Sequence, residues 1–143
     1  MTFEDGYLQG SGKTLSRGAE VSASVHLAYS LRLDANYTYN DTRDFSGDQR
    51  VRRPRHMGNL SLTYAPEGSP LSVRANLSVS KDARDRFNAL PDYELLDLSA
   101  NYQISDQLDL YWRVENLTDE NYFEVTGFHT SGRAGYAGVR VNF

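Results

Sequence analysis

The chain has 143 residues, a length that suits one domain, with a formal net charge of -4 and no cysteine. Without cysteine there can be neither disulfides nor thiolate metal sites, and the acidic balance argues against nucleic acid as a partner. No run approaches the roughly 18 consecutive apolar residues of a transmembrane helix, whereas 10 Tyr together with frequent Ser, Thr and Asn suit pleated strands.

Seven segments alternate with a period of two, each setting an apolar face against a polar one. The first opposes Ala19, Val21, Ala23, Val25, Leu27 and Tyr29 to Glu20, Ser22, Ser24 and His26; the second opposes Leu31, Leu33, Ala35, Tyr37 and Tyr39 to Arg32, Asp34, Asn36 and Thr38. Leu60, Leu62 and Tyr64 mark the third segment. In the fourth, Leu71, Val73, Ala75, Leu77 and Val79 oppose Ser72, Arg74, Asn76, Ser78 and Ser80, a face that a soluble core would bury only at high cost. Leu96, Leu98, Ala100 and Tyr102 form the fifth, and Leu108, Leu110, Trp112 and Val114 the sixth, the latter facing Asp109, Arg113 and Glu115. The last sets Ala137, Val139, Val141 and Phe143 against Tyr136, Gly138, Arg140 and Asn142.

The connections alternate between short and long, as in outer-membrane barrels with tight periplasmic turns and longer external loops. Tyr29 and Ser30 make a tight turn, Thr42 to Arg55 a long loop, Ala65 to Pro70 a short turn and Lys81 to Asp92 a long loop. Gln103 to Gln107 is short again and Leu117 to Arg133 long. The fold class expected is an all-β, antiparallel transmembrane β-barrel of about seven to eight strands, with Phe143 ending on the periplasmic side. Tyr37 and Tyr102 fall where aromatic girdles sit.

The chain end, with Tyr136, Gly138, Val141 and Phe143, has the pattern of an amphipathic strand suited to capture by edge pairing, and resembles the assembly signal read by the barrel assembly machinery. Upstream lie Asn116, Leu117, Asp119 and Tyr122, then Gly127 and the pair Gly132 and Arg133. This succession resembles the end of TonB-dependent outer-membrane receptors. Segments Arg17 to Glu20, Arg53 to His56 and Leu90 to Asp97 match the same barrel in order. Within the family the likeness is strongest to the vitamin B12 (cobalamin) receptors, while siderophore receptors share most of the same pattern. The resemblance implies that residues 1–143 are the C-terminal part of a barrel of about 22 strands with a plugged lumen. It also implies that the plug and the segment that recruits TonB lie outside this stretch. Met1 is followed by no basic start, apolar stretch or cleavage site, so the chain reads as mature or as a piece of something longer.

Other clusters have plainer readings. Arg50, Arg52, Arg53 and Arg55, with His56, form a basic run in a predicted external loop, read as a solvated loop or as a contact for lipopolysaccharide phosphates rather than nucleic acid. His26, His56 and His129 are scattered without zinc-ligand spacing. Asp82, Asp85 and Asp92 lack the rhythm of a calcium loop and read as ordinary loop carboxylates. No Ser sits in a nucleophile elbow, so no catalytic residue, metal site or cofactor is expected, and the chain is not read as an enzyme. The triplets starting at Asn36 and Asn76 lie on strands and are poor glycosylation candidates.

The leading expectation is a segment of an outer-membrane receptor for TonB-dependent uptake of a corrinoid or an iron chelate. Its partners would be outer-membrane lipid, lipopolysaccharide and the assembly machinery, with TonB reached only through the missing N-terminal part. Two rivals are a self-standing barrel or adhesin with Gly6 to Gly10 in an eighth strand, and a soluble lipocalin-like barrel with its apolar face turned inward.

Overall fold

A computed structural model describes residues 12–142. Seven strands follow one another: β1 (Leu15–His26), β2 (Leu31–Arg43), β3 (His56–Tyr64), β4 (Leu71–Lys81), β5 (Tyr93–Ser105), β6 (Leu108–Glu115) and β7 (Ala134–Val141). Each pairs antiparallel with the next, giving one meander in the order β1-β2-β3-β4-β5-β6-β7. Among the described residues β1 and β7 are the two edges, so the sheet is open. Residues 6–10, where the rival reading of a self-standing barrel puts part of an eighth strand, lie outside the described residues.

Register preserves the two faces across the whole sheet. Val25, Leu33, Leu62, Ala75, Leu98, Val114 and Gly135 form one cross-strand row. Beside it, His26, Arg32, Thr63, Arg74, Ser99, Arg113 and Tyr136 form a row on the opposite face. Slippage by one residue at any pairing would move every later side chain to the other face. Among the described residues one irregularity, a bulge at Gln103 and Ser105, sits beside the turn into β6, where it leaves the faces unmixed.

The sheet has no packed core. Among the described residues no large side chain is fully buried, and the buried apolar residues, Ala83 and Leu90, belong to a loop. The apolar face is bare: Val21 is 66% exposed and Val139 58%. A bare apolar face of this extent needs an apolar surrounding. Aromatic rings border it at both ends. Tyr64 and Trp112 share one row near the short turns, with Tyr102 one step further out, and Tyr37 and Tyr39 lie near the long loops. From Leu31 to Tyr39 the rise at about 3.3 Å per residue gives roughly 26 Å, close to the apolar band of a membrane barrel.

The expected rhythm of connections is present, with some boundaries moved. β2 runs on through Thr42 and Arg43, and β3 starts at His56, before its apolar run begins. The first short turn is closed by Leu27 N–H donating to the Leu31 carbonyl at 2.7 Å, with Tyr29 and Ser30 both at positive φ. All short turns lie at one end of the sheet and all long loops at the other.

Candidate functional site

The long loops, residues 44–55, 82–92 and 116–133, interlock through one carboxylate. Asp85 is 5% exposed. It accepts backbone N–H bonds from Thr126 (2.9 Å) and Arg86 (2.9 Å), and Arg52 Nε approaches its Oδ1 at 3.3 Å. The amides of Thr126 and Arg86, more than they are opposed by burial and with further help from Arg52, hold this carboxyl down at about 2. The reading of Asp82, Asp85 and Asp92 as ordinary loop carboxylates is therefore corrected. Asp85 joins all three loops, Asp82 pairs with Arg55 at 2.9 Å, and Asp92 Oδ1 accepts the Asp82 N–H at 2.8 Å.

Further bonds stitch the first two loops together. Arg52 N–H donates to the Arg84 carbonyl at 2.7 Å, and Gln49 Nε2 to the Asp82 carbonyl at 2.7 Å. Of the basic run, Arg52 and Arg55 are thus engaged with loop carboxylates, while the side chains of Arg50 and Arg53 are exposed. His56 turns its Nδ1 to the Tyr37 hydroxyl at 2.7 Å, far from His26 and His129 in the sequence and on a different contact from either.

The third loop explains the motif that begins at Asn116. Asn116 is 5% exposed with φ 49°, a left-handed conformation that Asn tolerates better than most residues. Its Nδ2 donates to the Glu120 carbonyl at 2.9 Å and its Oδ1 accepts the Glu120 N–H at 2.8 Å, closing the loop on itself. Its own N–H donates to Asp97 Oδ1 at 2.9 Å, and Leu117 N–H donates to the Leu96 carbonyl at 2.7 Å, anchoring the loop on β5. Asp119 Oδ1 accepts the Arg133 N–H at 2.8 Å across the loop neck, with Gly132 leaving room for the carboxylate. Gly127, at φ 85°, allows the turn at the tip. Tyr122 packs on Tyr93, ring centres 4.4 Å apart, and burial together with nearby Glu124 pushes its phenol up.

These contacts border a half-open cavity of about 450 Å³ at the mouth of the polar face, lined by Arg52, Met57, Tyr93, Phe123, Glu124 and others. Met57, Ser80 and Tyr93 share one polar-face row, so the cavity opens onto the inner wall. Below it runs a ladder of small polar side chains: Asn76 to Ser78 (3.0 Å), Ser78 to Asn59 (2.8 Å) and Asn59 to Asn36 (3.2 Å). Sequence reasoning missed both the cavity and the Asp85 hub. Their members are spread over three loops with no periodicity to connect them.

At the chain end Tyr136 and Gly138 lie on the polar face and Val141 on the apolar face opposite Leu108; Phe143 lies outside the described residues. The Arg113 guanidinium sits 4.4 Å over the Tyr136 ring. A Cβ on Gly138 would overlap the Tyr111 phenol, so this glycine also has a packing reason to be there.

An open antiparallel meander with one lipid-compatible face, a polar wall and interlocked loops at one end defines a wall segment of an outer-membrane β-barrel. Residues 2–117 match the family described as TonB dependent receptor-like, beta-barrel, and the chain belongs to that family. It is a protein of the Gram-negative outer membrane. The match stops at Leu117, so Asp119 to Arg133 fall beyond it. The chain is 32% identical over 128 residues to the ferrioxamine B receptor of Salmonella typhimurium, covering 78% of this chain and 18% of that protein. It is 30% identical over 129 residues to the vitamin B12 transporter of Photobacterium profundum, covering 89% and 21%. Among solved structures, the ferripyoverdine receptor of the outer membrane of Pseudomonas aeruginosa superposes with a TM-score of 0.72 at 26% identity, over 91% of this chain and 20% of that one. A copper transporter, at 20% identity and a TM-score of 0.78, shares the fold. The chain thus spans about a fifth of the length of these relatives.

Proposed function

We propose that this chain is the C-terminal wall and part of the outer rim of a receptor that takes up a metal-bearing organic chelate, either a ferric siderophore or a cobalt corrinoid, with energy from TonB. The observation that carries this reading is the three-loop rim fastened by Asp85 over a cavity opening onto the polar wall. A rim tied at one hub presents a largely preformed surface, and preformed concave sites lower the entropic cost of binding. The aromatic lining of Tyr93 and Phe123 suits the organic periphery of a chelate. The ferrioxamine B receptor and the vitamin B12 transporter match at similar identity, so the sequence likeness favours neither ligand over the other.

In this reading TonB acts through an N-terminal part that lies outside these residues, and the exposed Arg50 and Arg53 meet lipopolysaccharide phosphates at the outer surface. Tyr136, Gly138, Val141 and Phe143 present the last strand to the barrel assembly machinery. The test is uptake of labelled iron from a panel of ferric siderophores, and of labelled cyanocobalamin, by cells expressing the complete receptor with or without TonB. TonB-dependent uptake of one ligand class, reduced by Tyr93→Ala, is expected. Absence of uptake across the panel, or uptake independent of TonB, refutes the reading.

A further inference from the structure

The apolar face of the sheet changes character toward the long loops. From the short turns through the row of Ala23, Ala35, Leu60, Leu77 and Leu96, its strand positions carry no charge. Among the described residues the charged strand positions of this face, Arg17, Asp41, Arg43, Lys81 and Glu94, all lie beyond that row. In an outer-membrane barrel the apolar face looks outward. Neighbouring strands and the contents of the lumen therefore leave it uncovered, and what meets it is the surrounding leaflet.

Two kinds of group meet in this belt. Tyr37 and Tyr39 gather round His56: the Tyr37 hydroxyl lies 2.7 Å from its Nδ1, and the Tyr39 ring centre 5.3 Å from that of the imidazole. In the row of Tyr39 and His56, Ala19 flanks the first and Lys81 the second, so an aromatic shelf with one open flank runs directly into a cation. One step further toward the loops Arg17 lies beside Asp41, and beyond it Arg43 lies beside Leu15. Arg17 on β1 and Lys81 on β4 are borne by strands three spacings, about 14 Å, apart. That breadth suits a headgroup of linked sugars better than a single phosphate.

The carboxylates of the belt fasten it without using up its cations. Asp41 accepts from Arg43 at 2.9 Å and lies 3.4 Å from Arg55, whose Nη1 also reaches Asp82 at 2.9 Å. Lys81 and Glu94 approach at 3.0 Å with both side chains about half exposed, a pairing that contributes little in such a setting and yields readily to a phosphate. We infer that this belt is a binding site for the phosphorylated glycolipid of the outer leaflet: Arg17, Arg43 and Lys81 take the phosphates, and the shelf of Tyr37, Tyr39 and His56 lies against the sugar rings. The same face at the short-turn end, beside the phospholipid leaflet, has no such cations among the described residues. The inference adds an outward strand site to the loop contact of Arg50 and Arg53 proposed above. It rests on the outer-membrane location of the family and on no step of transport.

The test is titration of diphosphorylated lipid A, its dephosphorylated form and phosphatidylglycerol into the complete receptor in detergent, followed by native mass spectrometry. The wild-type receptor should hold diphosphorylated lipid A most tightly. Arg17→Gln and Lys81→Gln should each weaken that binding by about fivefold, the loss expected for one basic side chain at an anionic lipid surface. Lys81→Arg should retain the affinity, and Arg32→Gln, on the polar wall, should leave it unchanged. Tyr39→Ala should weaken both forms of lipid A and spare phosphatidylglycerol, which separates the sugar shelf from the charges. Unboiled gel mobility checks that each variant is folded. Equal binding of phosphatidylglycerol and lipid A would mean a diffuse charge effect and overturn the proposal. So would a loss that follows Arg50→Gln and Arg53→Gln while Arg17→Gln and Lys81→Gln are silent, because the phosphates would then sit at the loops alone. Lipid binding by the purified receptor needs neither TonB nor a chelate, so failed cellular uptake with lipid A binding intact counts against the transport reading and leaves this site standing.

Discussion

Leu77→Arg probes the orientation of the whole sheet. Leu77 lies between Leu60 on β3 and Leu96 on β5, in a row that also contains Ala35, and the next row toward the short turns is Leu33, Leu62, Ala75 and Leu98. The aromatic borders lie on either side of these two rows, so Leu77 sits near the middle of the apolar band. Arginine at the midplane of a barrel's lipid face costs about 2 to 4 kcal/mol, equivalent to roughly 30- to 1,000-fold in the folding equilibrium. Ser78 is its chain neighbour and points to the polar wall, where it hydrogen-bonds to Asn59. Ser78→Arg should therefore cost less, about 1 to 2 kcal/mol, the loss of two neutral hydrogen bonds, with Asn59 and Asn76. The assay is urea-dependent folding of the complete receptor into lipid vesicles, followed by the mobility difference between folded and unfolded barrel on unboiled gels. Equal costs for the two neighbours would refute the assignment of faces, and a larger cost for Ser78→Arg would reverse it.

Three further outcomes are expected. Asp85→Asn removes the charge that pairs with Arg52 and weakens the acceptor of the Thr126 amide, so hydrogen exchange should quicken across residues 82–92 and around Thr126 while the strands keep their protection. Because the folded carboxyl is held below its ordinary value near 4, its contribution is fully present above about pH 4 and is lost as the pH falls toward about 2; rim exchange should thus be flat from neutral to mildly acidic pH, and a transition near pH 6 would contradict the assignment. Asn116→Ala strips both side-chain bonds to Glu120 and should destabilise the third loop by about 1 to 3 kcal/mol, whereas Asn116→Gly, which keeps only the left-handed backbone, should recover little; near-complete recovery in Gly, read by proteolysis at residues 116–133, would show that the backbone conformation alone matters. Phe143→Asp should lower outer-membrane insertion in cells far more than it lowers spontaneous folding in detergent, where one side chain contributes about 1.5 to 3 kcal/mol at most; normal insertion in cells would remove the assembly-signal assignment.

The strands were legible because a membrane wall writes its two solvents into the sequence with a period of two. Leu71 to Val79 needed nothing beyond counting, and the alternation of short and long connections then fixed the meander. Register was less legible. The row joining Arg32, Arg74 and Arg113 depends on the residue count in each turn and on the bulge at Gln103, and no single segment reveals that its arginine will lie level with another. The polar face also holds Met57 and Leu95, which alternation alone would have placed outward. The loops were least legible. Arg52 and Asp85 are separated by 33 positions and Asp85 and Thr126 by 41, and such contacts follow from loop conformation rather than any repeating pattern. The Asn116 motif falls between these cases: its residues were singled out by resemblance, and the structure gives them a physical reason in the closure of one loop.

The exposure pattern and the edges of the described sheet pull in opposite directions. Exposure on the apolar face is greatest on the edge strands, at Val21 on β1 and at Val139 and Val141 on β7, because each lacks a neighbour on one side. Among the described residues the same edges leave backbone groups unpaired: in an antiparallel strand alternate residues direct their N–H and C=O outward, so about half of the 12 residues of β1 do so. In water that costs little. In hydrocarbon each unsatisfied group costs several kcal/mol, and a few of them exceed the net stability of a typical domain. The apolar face favours the bilayer and the open edges oppose it. Both demands are met when the edges of β1 and β7 are paired and the sheet is closed, as in a barrel. A superposition covering 91% of this chain but 20% of the ferripyoverdine receptor chain fits a sheet of this kind standing as one part of a larger protein.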